Sequence, residues 1–163
     1  MTATQTSLFD STPGRWLAYT DGSCKPTNPG PSAWGAVIIA PDGTEDRCKG
    51  FIGHGTNQIA EITAAIEGLT RTPAGATVTL LSDSQYVLKG LTEWRAGWIR
   101  RGWKTAAGEP VANKNLWQRL YALFDARKVT TQWVRGHNGD KYNEMADKLA
   151  LAAQAEALAR QAS

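Results

Sequence analysis

The chain has 163 residues, 20% of them charged and 42% hydrophobic, with 18 Lys and Arg against 15 Asp and Glu for a net charge of +3. That length builds one domain with a sizeable core. No run of about 18 apolar residues exists and no basic N-terminus leads into an apolar stretch, so neither a membrane span nor a secretory signal is expected, and a soluble cytoplasmic protein is.

In chain order, residues 1–14 are rich in Thr, Ser and Gln, close on Pro13-Gly14 and read as a flexible tail. Residues 15–20 read as a strand, 22–32 as a loop dense in Gly, Pro and Asn, and 33–40 as a second strand. Pro41-Asp-Gly43 marks a tight turn into a third strand at 44–52, the pattern of an antiparallel meander. The period then becomes helical over 57–69, with Ile59, Ile62, Ile66 and Leu69 in one stripe, until Thr72-Pro-Ala-Gly75 breaks it. A fourth strand at 77–82 follows, then helical segments across 84–100 interrupted near Gly90 and Gly97. A loop runs to about residue 111, a helix covers 115–127, a last strand 129–134, and an Ala/Leu-rich helix 143–160. The order βββαβααβα, hairpins first and crossovers later, predicts an α/β fold: one mixed five-stranded sheet with helices on both faces. The domain is expected to span 15–155, with 156–163 the end of the helix and a short tail. Whether the final helix packs or frays beyond Ala153 is open at this level.

Charge is uneven. Residues 89–119 hold seven bases against two acids, a local +5, which leaves about −2 for the rest of the chain. Such a basic stretch on a weakly charged body suits a polyanion, although a solvated helix face accounts for it equally simply. Two cysteines, Cys24 and Cys48, form no Cys-x-x-Cys pair; idle thiols in a reducing compartment and a single disulfide are both open. A monomer is the default expectation.

Four carboxylates sit at expected strand ends or on inward helix faces. Asp21 ends the apolar run 16–20, Glu61 lies among small and apolar residues, Asp83 ends the fourth strand, and Asp147 interrupts the last helix. Each has a plain structural explanation: Asp21 as a turn residue, Asp83 as a helix cap, Glu61 as a partner of the helix dipole, and any of the four as half of a salt bridge. Their shared context argues otherwise. Glu61 falls on a face with Ala65 and Gly68, small enough for close approach to a sheet. Asp147 lines up with Ala150, Leu151 and Leu158, where an unpaired acid is costly. Asp21 and Asp83 belong to strands expected to be central. Carboxylates converging from separate elements require cations, and hard oxygen ligands of this kind hold Mg²⁺ beside phosphate. No Gly-x-Ser-x-Gly motif is present and Cys24 has no evident histidine partner, so no protein nucleophile is indicated.

Several motifs then coincide: Thr20-Asp-Gly-Ser-Cys24, Asn28-Pro-Gly-Pro31, Thr56-Asn57 with Ala60-Glu61, Ser82-Asp-Ser-Gln-Tyr-Val87, Arg101-Gly-Trp-Lys-Thr105, Leu116-Trp-Gln-Arg-Leu120, Trp133-Val-Arg-Gly-His137, and Asn143-Glu144 with Asp147. In order and spacing, from about Trp16 to Ala153, the set resembles bacterial type 1 ribonuclease H. The resemblance implies an endonuclease that cuts the RNA strand of RNA–DNA hybrids with two Mg²⁺ ions, Mn²⁺ being a substitute. It implies 5′-phosphate and 3′-hydroxyl products. It makes Asp21, Glu61, Asp83 and Asp147 the metal ligands, and His137 a loop histidine for proton transfer or product release. By the same resemblance Asn28, Asn57 and Gln58 sense 2′-hydroxyls, while Thr56 belongs to a DNA-phosphate pocket. Trp94, Arg100, Arg101, Trp103 and Lys104 belong to a basic protrusion that grips the DNA strand. One of Trp94 and Trp98 is expected to face the core. The chain departs from the family at His54, where an arginine is common, and at Gly97, where an asparagine helps to bind phosphate. A non-catalytic hybrid-binding module and a DNA-processing nuclease of related fold are the rival readings. Finally, Gln5-Thr-Ser-Leu-Phe9 resembles the peptides by which bacterial proteins dock on the sliding clamp, with Leu8 and Phe9 as anchors; packing of Phe9 on the domain is the alternative.

Overall fold

The structure, a computed structural model, describes residues 14–135 and 140–162. Strands β1 (Arg15–Cys24), β2 (Gly30–Ile39) and β3 (Glu45–Gly55) form the antiparallel meander, and helix α1 (Asn57–Thr70) follows. Strand β4 (Thr77–Ser82) leads into α2 (Gln85–Lys89), a π-helical turn (Gly90–Trp94) and α3 (Arg95–Arg100). Helix α4 (Lys114–Asp125), strand β5 (Lys128–Trp133) and helix α5 (Lys141–Ala162) complete the fold. The sheet order is β3-β2-β1-β4-β5. Pairing is antiparallel for β1 with β2 and β2 with β3, and parallel for β1 with β4 and β4 with β5. The mixed five-stranded sheet is as expected, and β1 is its centre.

Side-chain alternation distributes the helices. Ala18, Trp34, Ala36, Ile38, Val78 and Leu80 face the principal core with Ile62, Ile66 and Leu69 of α1 and Trp117 and Leu120 of α4. Residues of the opposite parity, Gly35 among them, face α5: a Cβ on Gly35 would collide with the backbone of Ala146 and Ala150. Helices therefore cover both faces.

Several boundaries differ from the expectation. Strands β1 and β2 run deeper into the Gly/Ser/Pro-rich stretch, because Gly22, Ser23 and Cys24 pair with Trp34, Ala33 and Ser32. Cross-strand hydrogen bonding overrides weak β propensity there, and the loop shrinks to 25–29. Helix α3 runs through Gly97 without a break; the Arg101 guanidinium fills the space beside it, 3.1 Å from where a Cβ would stand. At Gly90 the expected interruption is real. The fully buried Trp117 ring lies against that glycine and leaves no room for a Cβ, and Tyr121 Oη donates to the Gly90 carbonyl at 2.7 Å. Helix α5 remains regular past Ala153 to Ala162. Its buried stripe is Asn143, Ala146, Ala150, Ala153, Gln154 and Ala157, whereas Leu151 and Leu158 are only half-buried on its flank. Cys24 and Cys48 are free thiols, and burial pushes that of Cys48 up to about 11. No helix among the described residues is long and apolar enough to cross a membrane.

Candidate active site

The last paired residues of the two central parallel strands are Thr20 and Ser82. Asp21 and Asp83 come immediately after them, at the carboxyl ends where an open sheet leaves a crevice. Asp21 nevertheless stays in β1, paired with Gly35 of β2, so it is no turn residue. Ser84, not Asp83, caps α2, its Oγ accepting from Val87 N at 3.2 Å. Glu61 is the fifth residue of α1, beyond the first turn and its dipole. The structural explanations for three of the acids thus fall away one by one.

Close helix–sheet approach brings Glu61 in. Gly22 has no space for a Cβ against the backbone of Ala60 and Glu61, and Gly68 has none against Thr20. The Gly22 amide donates to Glu61 Oε1 at 2.9 Å, which fixes that carboxylate over β1. Ligand oxygens of Asp21, Glu61 and Asp83 all lie within 4.8 Å of one another. Asp147 arrives from α5 on the other face, near enough to Asp21 for its charge to add to the upward push on that carboxyl. The alanines around it allow that approach, since Gly35 contacts the helix one residue before Asp147 and three after.

Asp21 is 5% exposed. Burial first, then the charges of Glu61 and Asp83, raise its carboxyl far above the ordinary range. Burial and the Asp83 charge push Glu61 up to about 8, against the opposing pull of the Gly22 amide. No ion pair among the described residues reaches either acid. Like charges buried together are a condition that divalent cations relieve. The donor set, all carboxylate oxygen, fits Mg²⁺ or Mn²⁺ and does not suit a soft metal.

The expected substrate groups fall into two clusters. Asn28 sits on the exposed 25–29 turn and its Oδ1 accepts from Asn57 N at 2.9 Å. Thr56 caps α1, its hydroxyl accepting from Ile59 N at 3.0 Å, and Asn57 and Gln58 are exposed in the first turn, one turn before Glu61. The second cluster is the arm formed by α3 and residues 101–113. Arg100, Arg101 and Lys104 are exposed on it; Arg101 Nε also donates to Lys104 O. Trp98 packs on the core, as expected of one tryptophan of that pair, while Trp94 lies on Tyr86 and Trp98. Trp103 was not expected to join the core, yet its ring lies between Trp98 and Tyr121 with Lys114 above it. Its backbone adopts φ +65°, a conformation rare for a bulky residue. His137 and the segment Gln5–Phe9 lie outside the described residues.

Sequence reasoning overlooked Gly22 and Gly35, whose missing side chains let α1 and α5 reach the site. Arg95, expected among the bases of the protrusion, is instead paired in a bidentate manner with Asp125 at 2.7 and 2.5 Å and stacked on Tyr121, which ties the arm to α4.

Comparison with known proteins bears directly on this geometry. The family model for RNase H matches residues 13–155. The chain belongs to the ribonuclease H family. Ribonuclease H of Polaromonas naphthalenivorans (strain CJ2) is 51% identical over 152 residues, covering 92% of this chain and 93% of that protein. Ribonuclease HI of Pseudomonas syringae pv. tomato is 50% identical over 132 residues, covering 81% and 87%. Among solved structures, RNase H1 of the archaeon Halobacterium salinarum is 30% identical with a TM-score of 0.67, covering 88% of this chain and 99% of its own. LC9-RNase H1 is 27% identical with a TM-score of 0.78, covering 89% and 74%. As a ribonuclease H family member the chain is a nuclease of the hydrolase class, and its acidic cluster lies where β1, α1 and β4 of that fold converge.

Proposed function

We propose that this protein is an endonuclease that hydrolyses the RNA strand of RNA–DNA hybrids, leaving 5′-phosphate and 3′-hydroxyl ends. The observation that carries the reading is the gathering of Asp21, Glu61 and Asp83 within 4.8 Å, with Asp147 near Asp21, in a ribonuclease H chain. These four acids would hold two Mg²⁺ ions, or Mn²⁺ in their place. When bound, such ions generate the nucleophile from water and stabilise the leaving oxygen in an in-line displacement. The chain's own part is positional. Gly22 N–H aims Glu61, α5 brings Asp147 up as a fourth carboxylate near Asp21, and the buried setting keeps bulk water from the carboxylates.

Asn28, Asn57 and Gln58 carry amides that both donate and accept, as recognition of a 2′-hydroxyl requires. Thr56 supports a phosphate at the α1 N-terminus. Arg100, Arg101 and Lys104 neutralise the DNA backbone while the edges of Trp94 and Trp103 meet sugars. His137 transfers a proton or assists product release. We read the protein as a cytoplasmic monomer whose Gln5–Phe9 segment docks on the sliding clamp; equal clamp capture by a Leu8→Ala/Phe9→Ala variant would remove that last element.

Product ends test the chemistry. Cleaved RNA should be extended by a polymerase without prior phosphatase treatment and should carry a phosphatase-sensitive 5′ end. Cyclic or 3′-phosphate ends would show instead that the RNA's own 2′-hydroxyl is the nucleophile.

A further inference from the structure

Buried residues of α5 beyond Asn143 are alanines with one exception, Gln154, which is 6% exposed. A buried amide is costly unless both its ends are paired. Here both are. Gln154 Oε1 accepts from Ser23 Oγ at 2.9 Å, and Nε2 donates to the Lys25 carbonyl. Ser23 is two residues past Asp21, and Lys25 opens the turn that carries Asn28.

That turn is a compact unit. Lys25 N–H donates to the Pro31 carbonyl at 3.2 Å and closes it, and the Cys24 thiol reaches Thr27 O at 3.1 Å. Gly30 lets Thr27 fold against it where a Cβ would clash. On one side the turn is tied to α1 through Asn28 Oδ1 and the Asn57 amide. On the other, Gln154 ties it to α5. With its oxygen engaged by Asn57, Asn28 presents its NH₂ group as a donor to substrate, and its direction follows from how the turn is held at both ends.

We propose that Gln154 is a positioning residue for substrate discrimination: through the Lys25 carbonyl and Ser23 it sets the 25–29 turn, and so places Asn28 beside Asn57 and Gln58 to read the RNA strand. The inference rests on the assignment of those amides to the hybrid made above. Its signature is selective. Gln154 touches no metal ligand, so metal use and the chemical step are untouched while recognition is degraded.

The test compares wild type with Gln154→Met, which keeps the side chain's length and removes both hydrogen bonds. The substrates are an all-RNA/DNA hybrid and the same hybrid carrying a single 2′-deoxy residue in the RNA strand near the cleavage site. The expected result is a KM raised about 3- to 10-fold, as for loss of one hydrogen bond's discrimination, with kcat and the Mg²⁺ midpoint unchanged within about twofold. The penalty that the 2′-deoxy residue imposes on wild type should shrink in the variant. Ser23→Ala, which frees one end of the same amide, should move KM the same way by a smaller factor and serves if Gln154→Met does not fold. An unchanged KM and an unchanged 2′-deoxy penalty in a wild type that cleaves the hybrid overturn this inference alone. A wild type that cleaves no hybrid overturns the functional reading and this inference with it.

Discussion

Asp21 and Glu61 are held where water solvates them poorly, and the charges of Glu61 and Asp83 act on Asp21 while that of Asp83 acts on Glu61. An acid raised in the folded state contributes stability fully below its unfolded value, here 3.8 or 4.5, and loses it as pH rises through the folded value, about 8 for Glu61. Metal-free protein should therefore lose stability from about pH 5 to pH 8. Asp21→Asn should relieve the repulsion: in EDTA at pH 8 its Tm should exceed that of wild type by about 3–6 °C, for roughly 1–2 kcal/mol in a chain of this size, with the gap closing toward pH 5. Mg²⁺ should raise the Tm of wild type and leave that of the variant nearly unmoved. A variant less stable than wild type at pH 8 without metal would mean that the acids are not strained by one another. The gathering of Asp21, Glu61 and Asp83 was legible in sequence, because acids that are commonplace singly point one way when they coincide at strand ends and on small-residue faces. What sequence does not carry is the Gly22 amide that orients Glu61, since a backbone donor has no residue signature.

Between elements, glycine sets the distances. Gly35 lets α5 lie on β2 with the backbone of Ala146 and Ala150 in contact, and Asp147 sits between those two residues. Gly35→Ala should cost about 1–3 kcal/mol through overpacking and should lift Asp147 from Asp21, raising the Mg²⁺ concentration for half-maximal activity. A variant that loses stability with an unchanged metal midpoint would separate packing from ligand placement. The same close packing explains where periodicity misled. The expected α5 stripe used Leu151 and Leu158, the most apolar side chains available. A helix pressed against glycine needs alanine there, so the leucines lie at the flank. Likewise Gly97 reads as a break until Arg101 is seen to fill its space, and 22–24 read as loop until the β1–β2 register is known. These are tertiary effects, invisible to a local pattern. Strand β4, helix α1 and the Gly90 interruption, governed by local signals, were read correctly to within a residue.

For the whole molecule, charge is divided between an acidic crevice and a basic arm. The arm's four bases, Arg95, Arg100, Arg101 and Lys104, against one acid, Glu109, stand on a frame of stacked tryptophans and the Arg95–Asp125 pair, so it is a fixed surface. Hybrid affinity should fall linearly in log–log form with salt, and Arg100→Ala should reduce the slope by roughly 0.7–0.9, one phosphate's worth of released counterion. An unchanged slope would take Arg100 off the backbone. The central claim joins both halves: an acidic metal site and a surface that selects the hybrid. The most direct measurement offers purified protein end-labelled RNA–DNA hybrid, duplex DNA, duplex RNA and single-stranded RNA, each with Mg²⁺ or with EDTA. Cleavage of the hybrid's RNA strand alone is expected, abolished by EDTA and by Asp83→Asn, with hybrid binding retained in that variant. Tight hybrid binding without cleavage in Mg²⁺ or Mn²⁺, or cleavage of duplex DNA, would contradict it.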